Sequence, residues 1–223
     1  MSSPRSFGFM AIWHNKAEEF RANPEDEHKI REQIQCSFEN AHNRGIQRYG
    51  LYGCRWSSNQ KYFTFWQCPS FAALETTIDD LELAGDFVYA NSEHLLGVRI
   101  QEEGYEEEEF NAIEPSSFPF AFFAMWRRTE TFFNSGGEKR GGIQNKIYEA
   151  FNYGREQGIR MLGIYDCRWS TNWEYFTYWA SPTFQVLQDT IDRLEEAGDF
   201  WLSESRHLIG VYEPHFRSGW HNS

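Results

Sequence analysis

The sequence predicts an α+β fold in which one βαββαβ unit occurs twice in tandem. Three observations carry that reading. The stretch GCRWSSNQKYFTFWQCPSF at Gly53–Phe71 returns as DCRWSTNWEYFTYWASPTF at Asp166–Phe184. The spacing is constant: Trp169 follows Trp56, Gly158 follows Gly45 and His207 follows His94 by the same 113 residues. Within each copy, apolar residues alternate between strand and helix periodicity. A solenoid repeat runs about 20–50 residues, so this longer period marks a duplicated domain.

The elements follow in order. Phe7–His14 and its twin Phe120–Arg127 alternate as strands do. A helix follows, with Asn23 as N-cap, Pro24 at the first helical position and acidic residues in the first turn. Ile30, Ile34, Phe38 and Ala41 share one face of it, and Gly45 supplies its stop. Its twin carries Ile143, Ile147 and Phe151 and stops at Gly158. Two strands come next, Tyr49–Trp56 and Tyr62–Cys68, joined by SSNQK; the second copy has Leu162–Trp169 and Tyr175–Ala180. A second helix sets Phe71, Leu74, Ile78 and Leu81 on one face and ends at Gly85, matched by Phe184, Leu187, Ile191, Leu194 and Gly198. A last strand spans 94–100, matched by 207–213.

This order, met twice, is the ferredoxin-like split βαβ unit. Each unit covers one sheet face with helices and leaves an aromatic-rich face needing cover. The chain on this evidence resembles the dimeric α/β-barrel superfamily in a fused, tandem form. The resemblance implies two repeats, residues 1–103 and 119–223, packed sheet to sheet as an intramolecular barrel and joined by an acidic linker at 104–118. It rests on element order and duplication, with no signature motif. That superfamily includes cofactor-independent monooxygenases and isomerases, muconolactone-isomerase-like enzymes, haem proteins of the chlorite-dismutase type and proteins without catalysis. Fold alone does not choose among them.

Composition narrows the partners. The formal net charge of −12 repels a phosphate backbone and an anionic membrane surface. No segment has the roughly 18 apolar residues of a membrane span. The N-terminal residues read as a first strand and not as a signal peptide. The four cysteines include no C-x-x-C pair, and free thiols in a reducing cytoplasm follow. The run Glu106–Glu109 reads as a solvated connector, and His215 and His221 stand too far apart to suggest a metal site. The Gly-rich SGGEKRGG at 135–142 lacks the Lys-Ser/Thr of a phosphate loop and reads as a flexible loop.

Candidate site residues divide into shared and unshared. Arg55 and Arg168 stand in otherwise apolar strands. They serve either as buried ion pairs, with Asp79/Asp192 or Asp86/Asp199, or as anion clamps. His94 and His207 open the last strands; each is a hydrogen-bonded structural residue, a general base or a haem ligand. Tyr62/Tyr175, Thr64/Thr177 and Trp66/Trp179 share a strand face by period-two spacing, and Trp56/Trp169 end the preceding strand. These aromatics are core or pocket wall. Unshared pairs include His14 against Arg127 and Arg48 against Met161. The first points to a site near His14, helped by His94. The leading expectation is a cytoplasmic enzyme with an aromatic-lined pocket. It isomerises, cyclises or oxygenates a small substrate without a cofactor, with histidine as base and arginine holding the anion. The alternatives are a haem-binding protein of the chlorite-dismutase type and a non-catalytic binding or assembly protein. Self-association into a homo-oligomer is compatible with each.

Overall fold

The computed structural model describes residues 6–15, 24–100 and 115–213. Asn23, the acidic run and the two C-terminal histidines lie outside the described residues. The chain divides into two compact units. One holds the residues through Val98 together with Glu213 onward, and the other spans Arg99–Tyr212.

In the first unit the order is β1 (Phe7–Asn15), α1 (Pro24–Asn43), β2 (Gln47–Gly53), β3 (Tyr62–Cys68), α2 (Phe71–Leu83), a one-turn α3 (Asp86–Tyr89) and β4 (Ala90–Ile100). Its strands pair antiparallel in the order β4-β1-β3-β2. The second unit runs β5 (Phe120–Arg128), a short α4 (Glu130–Asn134), α5 (Gly137–Glu156), β6 (Arg160–Asp166), β7 (Tyr175–Ser181), α6 (Phe184–Ala197), a one-turn α7 (Asp199–Leu202) and β8 (Ser203–Tyr212). Its antiparallel order, β8-β5-β7-β6, repeats the first.

Each helix pair lies on one face of its sheet. In the first unit Phe9, Trp66 and Cys68 from the strands pack with Ile34, Ala41, Leu74 and Leu81 from the helices. In the second, Phe122 and Trp179 pack with Ile147, Ala150, Leu187 and Leu194. Burying each large apolar side chain contributes about 1.5–3 kcal/mol, so these layers are a main source of stability in each unit. The glycine stops are as expected: Gly85 and Gly198 take φ of 89° and 91°, a left-handed conformation that side chains resist.

Two differences from expectation concern local signals. The glycines of 136–142 form the cap and first turns of α5, with Glu138 favourably placed against the helix dipole. Ile143 and Ile147 bind this helix to the core, and that packing outweighs the weak propensity of glycine. The final strands also begin earlier than expected, at Ala90 and Ser203, because the one-turn helices end there.

One irregularity recurs in both units. Arg48 pairs with Trp66 and Tyr52 with Phe63, so β2 carries one residue more than β3 between these points. A like bulge, one residue earlier in the repeat, lies between Met161 and Ile164 of β6. A bulge leaves ladder groups unpaired. A buried threonine satisfies a carbonyl there: Thr64 Oγ1 donates to Tyr49 O at 2.7 Å, and Thr177 Oγ1 donates to Gly163 O at 2.8 Å.

Candidate functional site

Between the sheet and its helices, each unit holds a crevice. That of the second unit measures about 260 Å³ and that of the first about 90 Å³. They are built alike. Every residue lining the smaller crevice, except Arg48, has its partner 113 positions later in the lining of the larger one. The counterpart of Arg48 is Met161, which is fully buried.

Strand alternation explains which side chains face each crevice. Trp13, Ala11 and Phe9 lie opposite Tyr62, Thr64 and Trp66 across β1 and β3, on the helix-bearing face. In the second unit Trp126, Tyr175, Thr177 and Trp179 line the cavity. Trp66 also lines its crevice, whereas Tyr62 stacks beside Trp13 at the strand end, with ring centroids 5.9 Å apart. The period-two reading therefore sets the correct face.

His94 lies opposite Ala11, and His207 opposite Ala124, on that same face. Each imidazole sits between two aromatic rings: His94 is 5.1 Å from Phe9 and 5.6 Å from Phe87, and His207 is 5.1 Å from Phe122 and 5.5 Å from Phe200. Neither ring nitrogen has a hydrogen-bond partner among the described residues. The surrounding protein disfavours the charged form and lowers both pKa values. Each histidine is thus neutral at pH 7, with a lone pair free to accept a proton or bind a metal ion.

The remaining expected site residues lie elsewhere. Arg55 and Arg168 are not inside strands; β2 and β6 end at Gly53 and Asp166, and both arginines stand exposed in the turns that follow. The turn closes when Cys54 N donates to Lys61 O and Ser57 N to Cys54 O, as the second copy does at Cys167. Arg168 donates from Nε to Asp166 Oδ1 at 3.0 Å, which holds the Asp166 carboxyl below its ordinary pKa. Trp56 and Trp169, in the same turns, are 52% and 57% exposed and wall neither crevice. His14 follows the parity of Met10 and Ile12, on the sheet face away from His94, and hydrogen-bonds Gln60 Oε1 at 2.8 Å. The structure does not bring His14 and His94 together.

Several lining residues were not singled out by the sequence reading. Phe87 and Phe200 belong to the repeated AGDF, whose retention in both copies was the available signal; Asp86 and Asp199 of the same AGDF were read only as ion-pair partners of the arginines. Arg128, at the end of β5, adds a cation to the larger cavity and lies 5.0 Å above the Tyr175 ring.

No family model matches the chain, and neither does any curated protein. Solved structures do match. An arginine-to-lysine variant of chlorite dismutase from Candidatus Nitrospira defluvii aligns with TM-score 0.75 at 12% identity, covering 96% of this chain and 93% of that one. The same organism's chlorite dismutase in complex with imidazole aligns with TM-score 0.74 at 13% identity, covering 96% and 93%. A tryptophan-to-phenylalanine variant in complex with cyanide aligns with TM-score 0.74 at 13% identity, covering 96% and 92%. The chain therefore has an α+β fold of the chlorite-dismutase type. This corrects the expectation that no cofactor is involved: the neighbours are chlorite dismutases, the type named above as haem proteins, and not cofactor-independent enzymes. Among the described residues no helix is long and apolar enough to cross a membrane.

Proposed function

We propose that this protein binds haem in the cavity of its second unit, where His207 would hold the iron. The observation that carries the reading is an imidazole without a hydrogen bond, held neutral, in the wall of the larger apolar cavity. Neutral imidazole is a common axial ligand, and an aromatic wall suits the faces of a macrocycle. Arg128 offers a cation to a carboxylate of the haem. The likeness in fold supports the same reading, and cyanide and imidazole, bound by the neighbours named above, are both ligands of iron.

The residues fit the group in chemistry. In size the cavity, at about 260 Å³, lies below the roughly 300–1,000 Å³ of ordinary ligand pockets. Bound haem would supply redox or ligand-binding chemistry at its iron. The protein's part is to place His207 between Phe122 and Phe200, to keep it unprotonated and to exclude water with Trp126 and Trp179.

The first unit is the poorer host, because its crevice is smaller and is entered by Arg48. The proposal keeps the tandem ferredoxin-like arrangement, with repeats at 1–103 and 119–223 and the connector at 104–118. It replaces cofactor-free isomerisation or oxygenation by haem binding. The test is titration of the protein with haemin, followed in the Soret region. His207→Gln is expected to abolish or shift the band, and His94→Gln to leave it in place. Haem uptake unaffected by His207→Gln defeats the assignment.

A further inference from the structure

We propose that the crevice of the first unit binds a small zwitterionic amino acid, its carboxylate held by Arg48 and its ammonium by Asp86. This site is separate from the haem reading and does not depend on it.

The argument starts from the duplication. All but one of the positions that line the smaller crevice also line the larger one, and the exception, Arg48, stands where the second unit has the buried Met161. Arg48 precedes the bulge in β2, lies opposite Trp66 and lines the crevice from an exposed position at its edge, and the extra residue brings Leu51 to the same wall. The Arg48 guanidinium lies 3.6 Å over the Phe38 ring, which keeps its fork at the crevice. Its side chain makes no ion pair or hydrogen bond with any described residue. Protein packs round it, and Arg48 is held at a pKa of about 10, still charged at neutral pH. Its surface remains accessible to solvent, and therefore to a ligand.

Asp86 faces the same crevice from α3. It too lacks an ion pair or hydrogen bond among the described residues. Desolvation pushes its carboxyl up to about 6, although Arg48 opposes the shift. A direct Arg48–Asp86 pair would satisfy both groups, and the structure does not form one. Two opposite charges are left in one chamber, each with unused bonding capacity. Trp66 adds an indole N–H without an acceptor, whereas its counterpart Trp179 Nε1 donates to Thr177 Oγ1 at 3.1 Å. A molecule carrying a carboxylate and an ammonium completes both charges at once. A molecule with one charge leaves the other group unmatched.

Size limits the carbon skeleton. A dry cavity of about 150 Å³ admits benzene, so one of about 90 Å³ takes a chain of few carbons and no ring. The aromatic wall of Trp13 and Phe87 suits the ammonium end.

The test is calorimetric titration of the full chain at pH 7.5 with glycine, β-alanine and γ-aminobutyrate, with propionate and propylamine as single-charge controls. One of the three zwitterions is expected to bind at least about tenfold more tightly than either control. Arg48→Met, which installs the residue of the other unit, and Asp86→Asn should each weaken binding at least about tenfold. Affinity should fall as pH is lowered below about 6, where Asp86 takes up a proton. The other titratable groups in the lining are Arg48, which stays charged, and His94, whose protonation further repels an ammonium. Propionate binding as tightly as the zwitterions, affinity that rises at low pH, full affinity in either variant, or no heat with any of the three overturns the proposal. The comparison with propionate and propylamine needs no variant, so it decides even if a substituted chain fails to fold.

Discussion

Removing one hydroxyl from each repeat should cost different amounts, although the two threonines occupy the same place. Thr177 is 4% exposed and serves two buried groups: it donates to Gly163 O at 2.8 Å and accepts from Trp179 Nε1 at 3.1 Å. Thr64, 7% exposed, serves only Tyr49 O, because Trp66 Nε1 has no partner. Thr→Val keeps the shape and removes the oxygen. A buried group left unsatisfied costs about 1–3 kcal/mol. Thr64→Val strands one such group and should lose about 1–3 kcal/mol, whereas Thr177→Val strands two and should lose about 2–6 kcal/mol. The assay is urea denaturation with amide hydrogen exchange read separately in each unit, since a chain of two units need not unfold in one step. Equal losses at the two sites, or a larger one at Thr64, would refute the assignment of the second hydrogen bond as a stabilising contact.

Two further predictions concern charge. Asp86 has a folded-state pKa of about 6, above its unfolded value, so it binds more protons when folded. It therefore supports the fold at low pH and loses that support as pH rises through about 6. Asp86→Asn should stabilise the protein by about 1–2 kcal/mol at pH 8, allowing for partial exposure of the group, with the gain vanishing near pH 4; melting at both values checks this. Arg168→Met removes an ion pair open to solvent and should leave the melting midpoint where it is at moderate salt, as surface pairs usually do. A clear drop in that midpoint would show the pair to be structural.

Much of the frame is legible in the sequence because periodicity and turn chemistry agree there. Pro24 begins α1, and Gly45 and Gly85 stand where the helices of the first unit stop. The faces of β3 and β7 follow from alternation, which places Trp66 and Trp179 on their crevices. The arginines were misplaced because Cys54-Arg55-Trp56 has the composition of a strand, while turn hydrogen bonds at Cys54 end it early. Parity could have separated His14 from His94, since His14 is one step out of phase with Trp13. The place of Leu51 on the crevice wall was not legible, because a bulge cannot be read from alternation alone. The differing volumes of the crevices depend on packing that no motif records.

The bulge also acts as a clock. It falls within Arg48–Tyr52 in one copy and within Met161–Tyr165 in the other, stretches that correspond across the duplication. A feature present in both copies at the same place is most simply older than the doubling, and so are the imidazole and the AGDF turn. Arg48 and Met161 differ, so one of them arose after the copies parted. From then on the two chambers could diverge in what they hold through this position, while the other positions of the smaller lining stayed matched in its twin.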